Sequence, residues 1–416
     1  MKKGPLVNLR NSDRTGRRAA GARSTTRLAL AVVFAGALAL TGCTIGEGGG
    51  DASPVAEAPA EPAAVIELSV QDGSAVANPA EPFVLTAREG TLSSAVVRNP
   101  EGVQLRGEFT PDLTEWRTTE DLGYGRQYTL EATATDGAGL VTRKNATFST
   151  LTPNVMTAAY LTTGQGSTVG IGQPVAVMFD EPIADRRAAQ ANIHVTTEPA
   201  VEGAFYWVSD QEVRWRPAEY WEPGTAIDVH VDIYGKDLGG GMYGQEDAFS
   251  NFQIGDAVIS RVDDANKKIV IERNGEVVKT MPTSMGKASS PTPNGTYVIG
   301  EKHASLVMDS STYGVAVDSA EGYRTPVQYA TRMSYSGIFV HAAPWSVWAQ
   351  GSQNTSHGCL NVTTSDAKWF YDNAKRGDVF EVTGTVGPTL PGWDGLGDWN
   401  VPWETWKAGN ADAGSS

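Results

Sequence analysis

The sequence predicts a mainly β protein: two β-sandwich domains in tandem, then a β-rich domain with one principal helix and a Trp-rich C-terminal extension. Three observations carry this. Short apolar runs alternate with polar residues and are broken roughly every eight to twelve residues by Gly, Pro, Asn or Asp, the pattern of antiparallel strands. The 416 residues include 46 Gly, 22 Pro and 11 Trp, a composition of strands and turns. Several positions recur at a single offset of 99 residues.

Charge narrows the partners. The formal net charge is −15, and the first 42 residues hold eight basic residues and one acid, so the remainder stands at −22. Such a surface repels phosphate backbones, which argues against nucleic-acid binding. The two cysteines, Cys43 and Cys359, sit in unlike contexts, so no disulfide is expected.

Residues 1–42 read as a leader. Basic residues are followed by an apolar run, 28–40, too short to span a bilayer. It ends in Leu40-Thr41-Gly42-Cys43, which resembles a bacterial lipobox. Lipidation at Cys43 would tether the chain to the outer face of the cytoplasmic membrane. Residues 43–64, rich in Gly, Ala, Pro and Glu, form a flexible linker.

The first sandwich is assigned to 65–150, with strands such as Val65-Ile66-Glu67-Leu68-Ser69-Val70 and Gln127-Tyr128-Thr129-Leu130-Glu131-Ala132. The second is assigned to 151–254, with Val175-Ala176-Val177-Met178-Phe179 and Ile227-Asp228-Val229-His230-Val231. The offset of 99 aligns Trp116 with Trp215, Leu122 with Trp221, Gly125 with Gly224, Tyr128 with Ile227 and Leu130 with Val229. An offset of domain size marks tandem copies of one unit. In the 236–247 loop, Asp237, Gly240 and Gly241 are candidate ligands for a calcium ion, although the spacing is not that of an EF-hand and a plain hairpin loop is the simpler reading.

Residues 255–384 form the third domain. Asn274-Gly275 marks a hairpin. One helix begins near Thr364-Ser365-Asp366 and stops before Gly377. In 385–416, Trp393, Trp399, Trp403 and Trp406 are expected to pack back onto the second sandwich, and 408–416 reads as disordered.

Chemistry concentrates in Ser356-His357-Gly358-Cys359-Leu360-Asn361. A thiol becomes a nucleophile when an imidazole takes its proton. Two imidazoles are candidates: His357, two residues before Cys359, and His341, 18 residues before it. Gly358 permits a backbone that aims the amides of 357–359 at an oxyanion.

With His341, this hexapeptide resembles the signature of L,D-transpeptidase catalytic domains of the YkuD type. Asp309-Ser310-Ser311-Thr312-Tyr313-Gly314, Gly322-Tyr323-Arg324, Ser334-Tyr335-Ser336-Gly337 and Ala343-Pro344-Trp345-Ser346-Val347 extend the resemblance to the multidomain mycobacterial type, as does the order lipobox, two immunoglobulin-like domains, catalytic domain and Trp-rich tail. The resemblance implies His341 as the base toward Cys359, oriented by the Ala342 carbonyl, with His357 supporting the nucleophile loop. Tyr323 is implied as a lid with an oxyanion-side hydroxyl. Ser336, Gly337 and Asn361 are implied substrate contacts, and Met308, Tyr313 and Trp345 the pocket lining. The implied reaction joins peptidoglycan stems by 3-3 crosslinks through a Cys359 thioester, releasing D-alanine from a tetrapeptide donor. No cofactor is required, and carbapenems are expected to acylate Cys359. The alternatives are a cysteine L,D-carboxypeptidase or wall-peptide hydrolase on the same residues, and a non-enzymatic wall-binding lipoprotein.

Overall fold

The computed structural model describes residues 60–74 and 76–412, with the side chain of Tyr313 left out. Cys43, the leader and most of the linker lie outside the described residues. Among those described, no helix is long and apolar enough to cross a membrane.

The first sandwich packs two sheets. One has the strand order Val65–Leu68, Val84–Arg88, Glu115–Thr118, Gly107–Phe109; the other has Gly90–Arg98, Gln127–Asp136, Val141–Ser149. Alternation decides what is inside: Tyr128, Leu130, Ala132 and Ala134 point inward from one strand. They meet Leu85, Trp116 and the stacked rings of Phe83 and Phe148.

The second sandwich pairs a sheet of Ser167–Val169, Ala248–Ile254, Ala226–Val231 and Ile193–Glu198 with one of Gly203–Trp207, Glu212–Pro217, Val175–Phe179 and Ala159–Leu161. The 99-residue offset falls on matching positions. Trp116 lies opposite Phe109 across its strand pair, and Trp215 lies opposite Phe205. The Leu122 and Trp221 amides each donate over 2.9 Å to a carbonyl, of Pro79 and Ile171 respectively. Gly125 and Gly224 both have positive φ, at 60° and 88°. A further correspondence joins them: Gly107 and Gly203 lie under the two indoles, and a Cβ there would sit 2.1 and 2.2 Å from ring carbons.

A parallel pairing of Val155–Thr157 with Met242–Gly244 lies beside the contact between the sandwiches. There the Tyr124 hydroxyl donates to the Gly244 carbonyl at 2.8 Å and accepts from the Gly235 amide at 2.7 Å. The adjoining 236–247 loop is a closed hairpin. Asp237 Oδ1 accepts from the Gly239 amide at 2.9 Å, and the Gly241 carbonyl accepts from the Asn154 amide at 3.0 Å. Asp237 Oδ1 and the Gly241 carbonyl, among the groups proposed for calcium, thus each accept a backbone amide, from Gly239 and Asn154, and among the described residues no three His, Cys, Asp or Glu side chains gather as a metal site.

The third region has two sheets. The first runs Glu276–Pro282, Lys268–Arg273, Val258–Asp263, Val379–Thr383, Gly295–Val298. Its hairpin turns at Asn274 and Gly275, both with positive φ, as a two-residue turn of this type requires. The second runs Lys302–Asp309, Arg324–Arg332, Phe339–Ala342, Leu360–Val362. Helix Thr364–Asn373 is capped by Thr363, whose Oγ1 accepts from the Asp366 amide. The helix packs against the two middle strands of this sheet through Ala367 and Phe370.

The tail corrects one expectation. Residues 408–412 are docked rather than disordered: the Asn410 side chain accepts from the Trp207 amide at 2.7 Å and donates to its carbonyl at 2.8 Å, and Asp412 pairs with Arg187. Docking edge-on to a strand satisfies backbone groups that composition does not reveal. Trp399, Trp403 and Trp406 surround the Arg216 guanidinium, 4.4–5.6 Å from its carbon. The indole N–H groups of Trp406 and Trp399 donate to the Ala204 and Gly172 carbonyls. Trp393 is the exception, 75% exposed. The tail therefore straps the third region to the second sandwich.

Candidate active site

His341 and Cys359 are 18 residues apart in sequence and neighbours in the fold. The strands Phe339–Ala342 and Leu360–Val362 pair in parallel, with Val340 opposite Leu360 and His341 opposite Asn361. Cys359 immediately precedes the second strand, so the thiol enters the sheet beside the imidazole's strand. The 343–358 segment between them is the crossover, and it carries the short helical turn Pro344–Ala349.

Both groups line one cavity of about 420 Å³. Its lining includes Met308, Tyr323, Thr325, Val327 and His357. It also includes His341, Trp345, Ser346, Trp348 and Asn361, together with Thr355, Ser356 and Cys359. Tyr323 lies against His357 with ring centroids 5.2 Å apart, and its strand end is held by the Ser310 hydroxyl. Gly337 contributes its carbonyl, 3.5 Å from the Cys359 sulfur. Ser336 is exposed on the preceding loop, where its amide donates to Asp394; it does not line the cavity. Of Tyr313 only the backbone is described, in the turn Ser310–Tyr313.

The ionisation states differ from a resting thiolate–imidazolium pair. Burial pushes the Cys359 thiol up to about 12, against a smaller opposing hydrogen bond from the Phe339 backbone. Burial also lowers the pKa of His341, against the bond to Ala342. Both groups therefore rest neutral at pH 7, because a charge in this site has no opposite charge beside it. His341 Nδ1 lies 3.0 Å from the Ala342 carbonyl oxygen. A carbonyl can only accept, so Nδ1 carries the proton and Nε2 keeps its lone pair.

The nucleophile loop is held from within. The Ser356 hydroxyl donates to the Cys359 carbonyl at 2.6 Å and accepts from the Gly358 amide at 3.1 Å. Gly358 has φ +123°, and its carbonyl accepts from buried Thr292 at 2.7 Å. The Gly358 amide is thus committed to Ser356, and the expected oxyanion set narrows to the amides of His357 and Cys359. Outside the loop, His357 Nε2 lies 3.2 Å from Lys287 Nζ and 3.1 Å from the Glu321 carboxylate. Sequence reasoning passed over Trp348 and the loop-holding role of Ser356. The signals were there: a second Trp three residues after Trp345, and a hydroxyl one position before His357.

Comparison with known proteins accords with this geometry. The model of the L,D-transpeptidase catalytic domain matches residues 257–383, and that of a bacterial Ig domain matches 74–237. L,D-transpeptidase 2 of Mycobacterium tuberculosis (strain CDC 1551 / Oshkosh) is 55% identical over 348 residues, 84% of this chain and 85% of that protein. The chain belongs to the L,D-transpeptidase family. L,D-transpeptidase 5 of M. tuberculosis (strain H37Rv) is 33% identical over 395 residues, 92% of this chain and 85% of that protein. Among solved structures, LD transpeptidase LdtMt1 in complex with imipenem is 38% identical, covering 54% of this chain and 97% of that one with a TM-score of 0.48. This chain is accordingly an acyltransferase with an Ig-like region ahead of its YkuD catalytic domain.

Proposed function

We propose that this enzyme forms 3-3 crosslinks in peptidoglycan through a thioester on Cys359. The observation that carries the reading is the shared cavity, in which an imidazole with its lone pair on Nε2 stands on one strand and a cysteine thiol at the head of the parallel strand paired with it. Sγ attacks the carbonyl of the third residue of a tetrapeptide donor stem, and its proton passes to His341 Nε2. The C–N bond to the terminal D-alanine breaks, that nitrogen takes the proton, and the thioester remains. The side-chain amine of a diamino acid on a second stem then attacks the thioester. The C–S bond breaks, and the amine's proton returns to sulfur through His341.

Because both groups start neutral, charge develops only as the substrate reacts, and donors fixed near the carbonyl then act in a water-poor site. The His357 and Cys359 amides and the Tyr323 hydroxyl serve as those donors. Gly337 and Asn361 contact the stems, and Met308 and Trp345 complete the pocket. The same attack by Cys359 opens the strained ring of a carbapenem and leaves a covalent adduct. A lipid on Cys43 anchors the chain outside the cytoplasmic membrane, and the two sandwiches, each about 35–45 Å long by strand rise plus loops, lift the site toward the wall.

Incubation with a disaccharide tetrapeptide, followed by mass spectrometry, tests the reading. A crosslinked dimer with loss of D-alanine is expected, and it disappears in Cys359→Ala. An unchanged dimer yield in that variant contradicts the assignment.

A further inference from the structure

We infer that the Pro344–Ala349 turn is the acceptor side of the site, with Trp348 as a specificity-determining residue and Ser346 as a positioning residue for the incoming amine. The inference rests on the transpeptidase reading and goes beyond it by assigning the second substrate to one wall of the cavity.

A hydrogen-bond chain sets the polarity of that wall. The Ser346 hydroxyl donates to the Ala343 carbonyl at 3.3 Å, so its only proton is spent. Ser346 Oγ can then only accept from Asn361, which must turn its amide nitrogen toward it, as seen at 3.1 Å. This leaves Asn361 Oδ1 as the atom without a partner. Asn361 is 4% exposed, lines the cavity, and its Oδ1 has no hydrogen-bond partner among the described residues. An unpaired buried acceptor calls for a donor from the ligand.

A second acceptor stands beside it. His341 occupies the paired position on the neighbouring strand, and its lone pair is on Nε2. Two neutral acceptors side by side match an amine, which brings N–H donors and must lose a proton to become the nucleophile. A stem carboxylate, which only accepts, fits neither atom.

The apolar part of the wall suits what carries that amine. The Trp345 ring lies 6.2 Å from the His341 ring, and Trp348 continues the lining outward. Trp345 and Trp348 are 52% and 68% exposed, so the wall opens to solvent at its outer end. An alkyl chain ending in an amine can lie along these two indoles with its head at His341 and Asn361. The donor stem is left with the part of the lining that holds Met308, Tyr323 and Val327. Proton balance agrees: the base that protonates the departing D-alanine nitrogen must deprotonate the acceptor nitrogen, so the two occupy one place in turn.

The test separates the two half-reactions in the full chain. A tetrapeptide donor is held at a fixed concentration. An acceptor stem carrying a free side-chain amine is titrated, with the same stem acetylated on that amine as control. D-Alanine released in the first turnover reads donor acylation, and the dimer-to-tripeptide ratio reads capture by amine against water. Trp348→Ala is expected to lower that ratio about 5- to 10-fold through a raised acceptor KM, with a smaller fall in first-turnover D-alanine. Ser346→Ala, which frees the Asn361 amide to flip, is expected to lower the ratio similarly, and Ser346→Thr, which keeps the hydroxyl, to restore it. Unchanged ratios in both Ala variants, or D-alanine and dimer falling in the same proportion, overturn the inference. A wild-type protein that makes neither dimer nor D-alanine overturns the transpeptidase reading instead.

Discussion

At the seam between the second sandwich and the C-terminal strap, Arg214 and Asp398 are buried 2.7 Å apart, with Glu212 on the other side of the guanidinium. In the catalytic cavity, Cys359 and His341 are about as deeply buried, yet among the described residues no charged side chain acts on either. Burial opposes the charge of Arg214, but Asp398 and Glu212 outweigh it and hold its pKa above the ordinary value. Burial meets no such opposition at the thiol and the imidazole, and both stay neutral. The same desolvation thus meets opposite charge at the structural seam, where burial also raises the Asp398 carboxyl against the pull of Arg214, and meets none at the pair where a proton must move.

The largest effect expected from breaking this contrast is at the neutral pair. His341→Ala removes the base assigned to the thiol's proton, and acylation by the donor stem should slow about 10²- to 10⁴-fold, read by the rate of adduct formation in mass spectrometry. At the charged seam, Asp398→Ala leaves Arg214 with Glu212 alone. Denaturant unfolding should show a loss of about 3–5 kcal/mol, much of it recovered when Arg214→Met is added. A smaller loss comes from the paired glycines. Gly107→Ala and Gly203→Ala each push a methyl into an indole and should cost about 1–3 kcal/mol apiece in thermal or denaturant unfolding. Comparable losses sharpen the correspondence between the sandwiches, and a loss in only one breaks it.

A third buried group lies between the two cases. Asp378 sits where the 170–172 turn of the second sandwich meets the catalytic region, with Gly170 donating its amide to the Arg376 carbonyl. Burial pushes its carboxyl up to about 7, and Oδ1 has no hydrogen-bond partner among the described residues. The folded form therefore holds a proton that the unfolded chain releases near pH 4. Its contribution to stability is present at low pH and is lost as pH rises from about 4 to about 7. Asp378→Asn should flatten the fall in melting temperature over that window.

What the sequence disclosed follows the range of the interactions involved. The nucleophile motif, the Asn274-Gly275 turn and the Thr363-headed helix are local, and residue type alone points to them. The repeat was legible because Trp116 and Trp215 keep their spacing to Gly125 and Gly224. The glycines beneath those indoles lie at an offset of 96, and without the strand register nothing ties them to the tryptophans. The docking of Asn410 on Trp207 joins residues 203 apart, so the tail read as loose polar chain. The neutrality of Cys359 and His341 was hidden for a similar reason. It depends on what the fold leaves out of the cavity, whereas motif chemistry considers only the two partners.

The measurement that bears most directly on this account is the pH dependence of Cys359 alkylation by iodoacetamide in the ligand-free protein. A thiol held neutral by burial should react at a rate that keeps rising, without a plateau, from about pH 6 to about pH 10. A rate that levels off below about pH 8 would mean that Cys359 and His341 already form a thiolate–imidazolium pair at rest, and would contradict it.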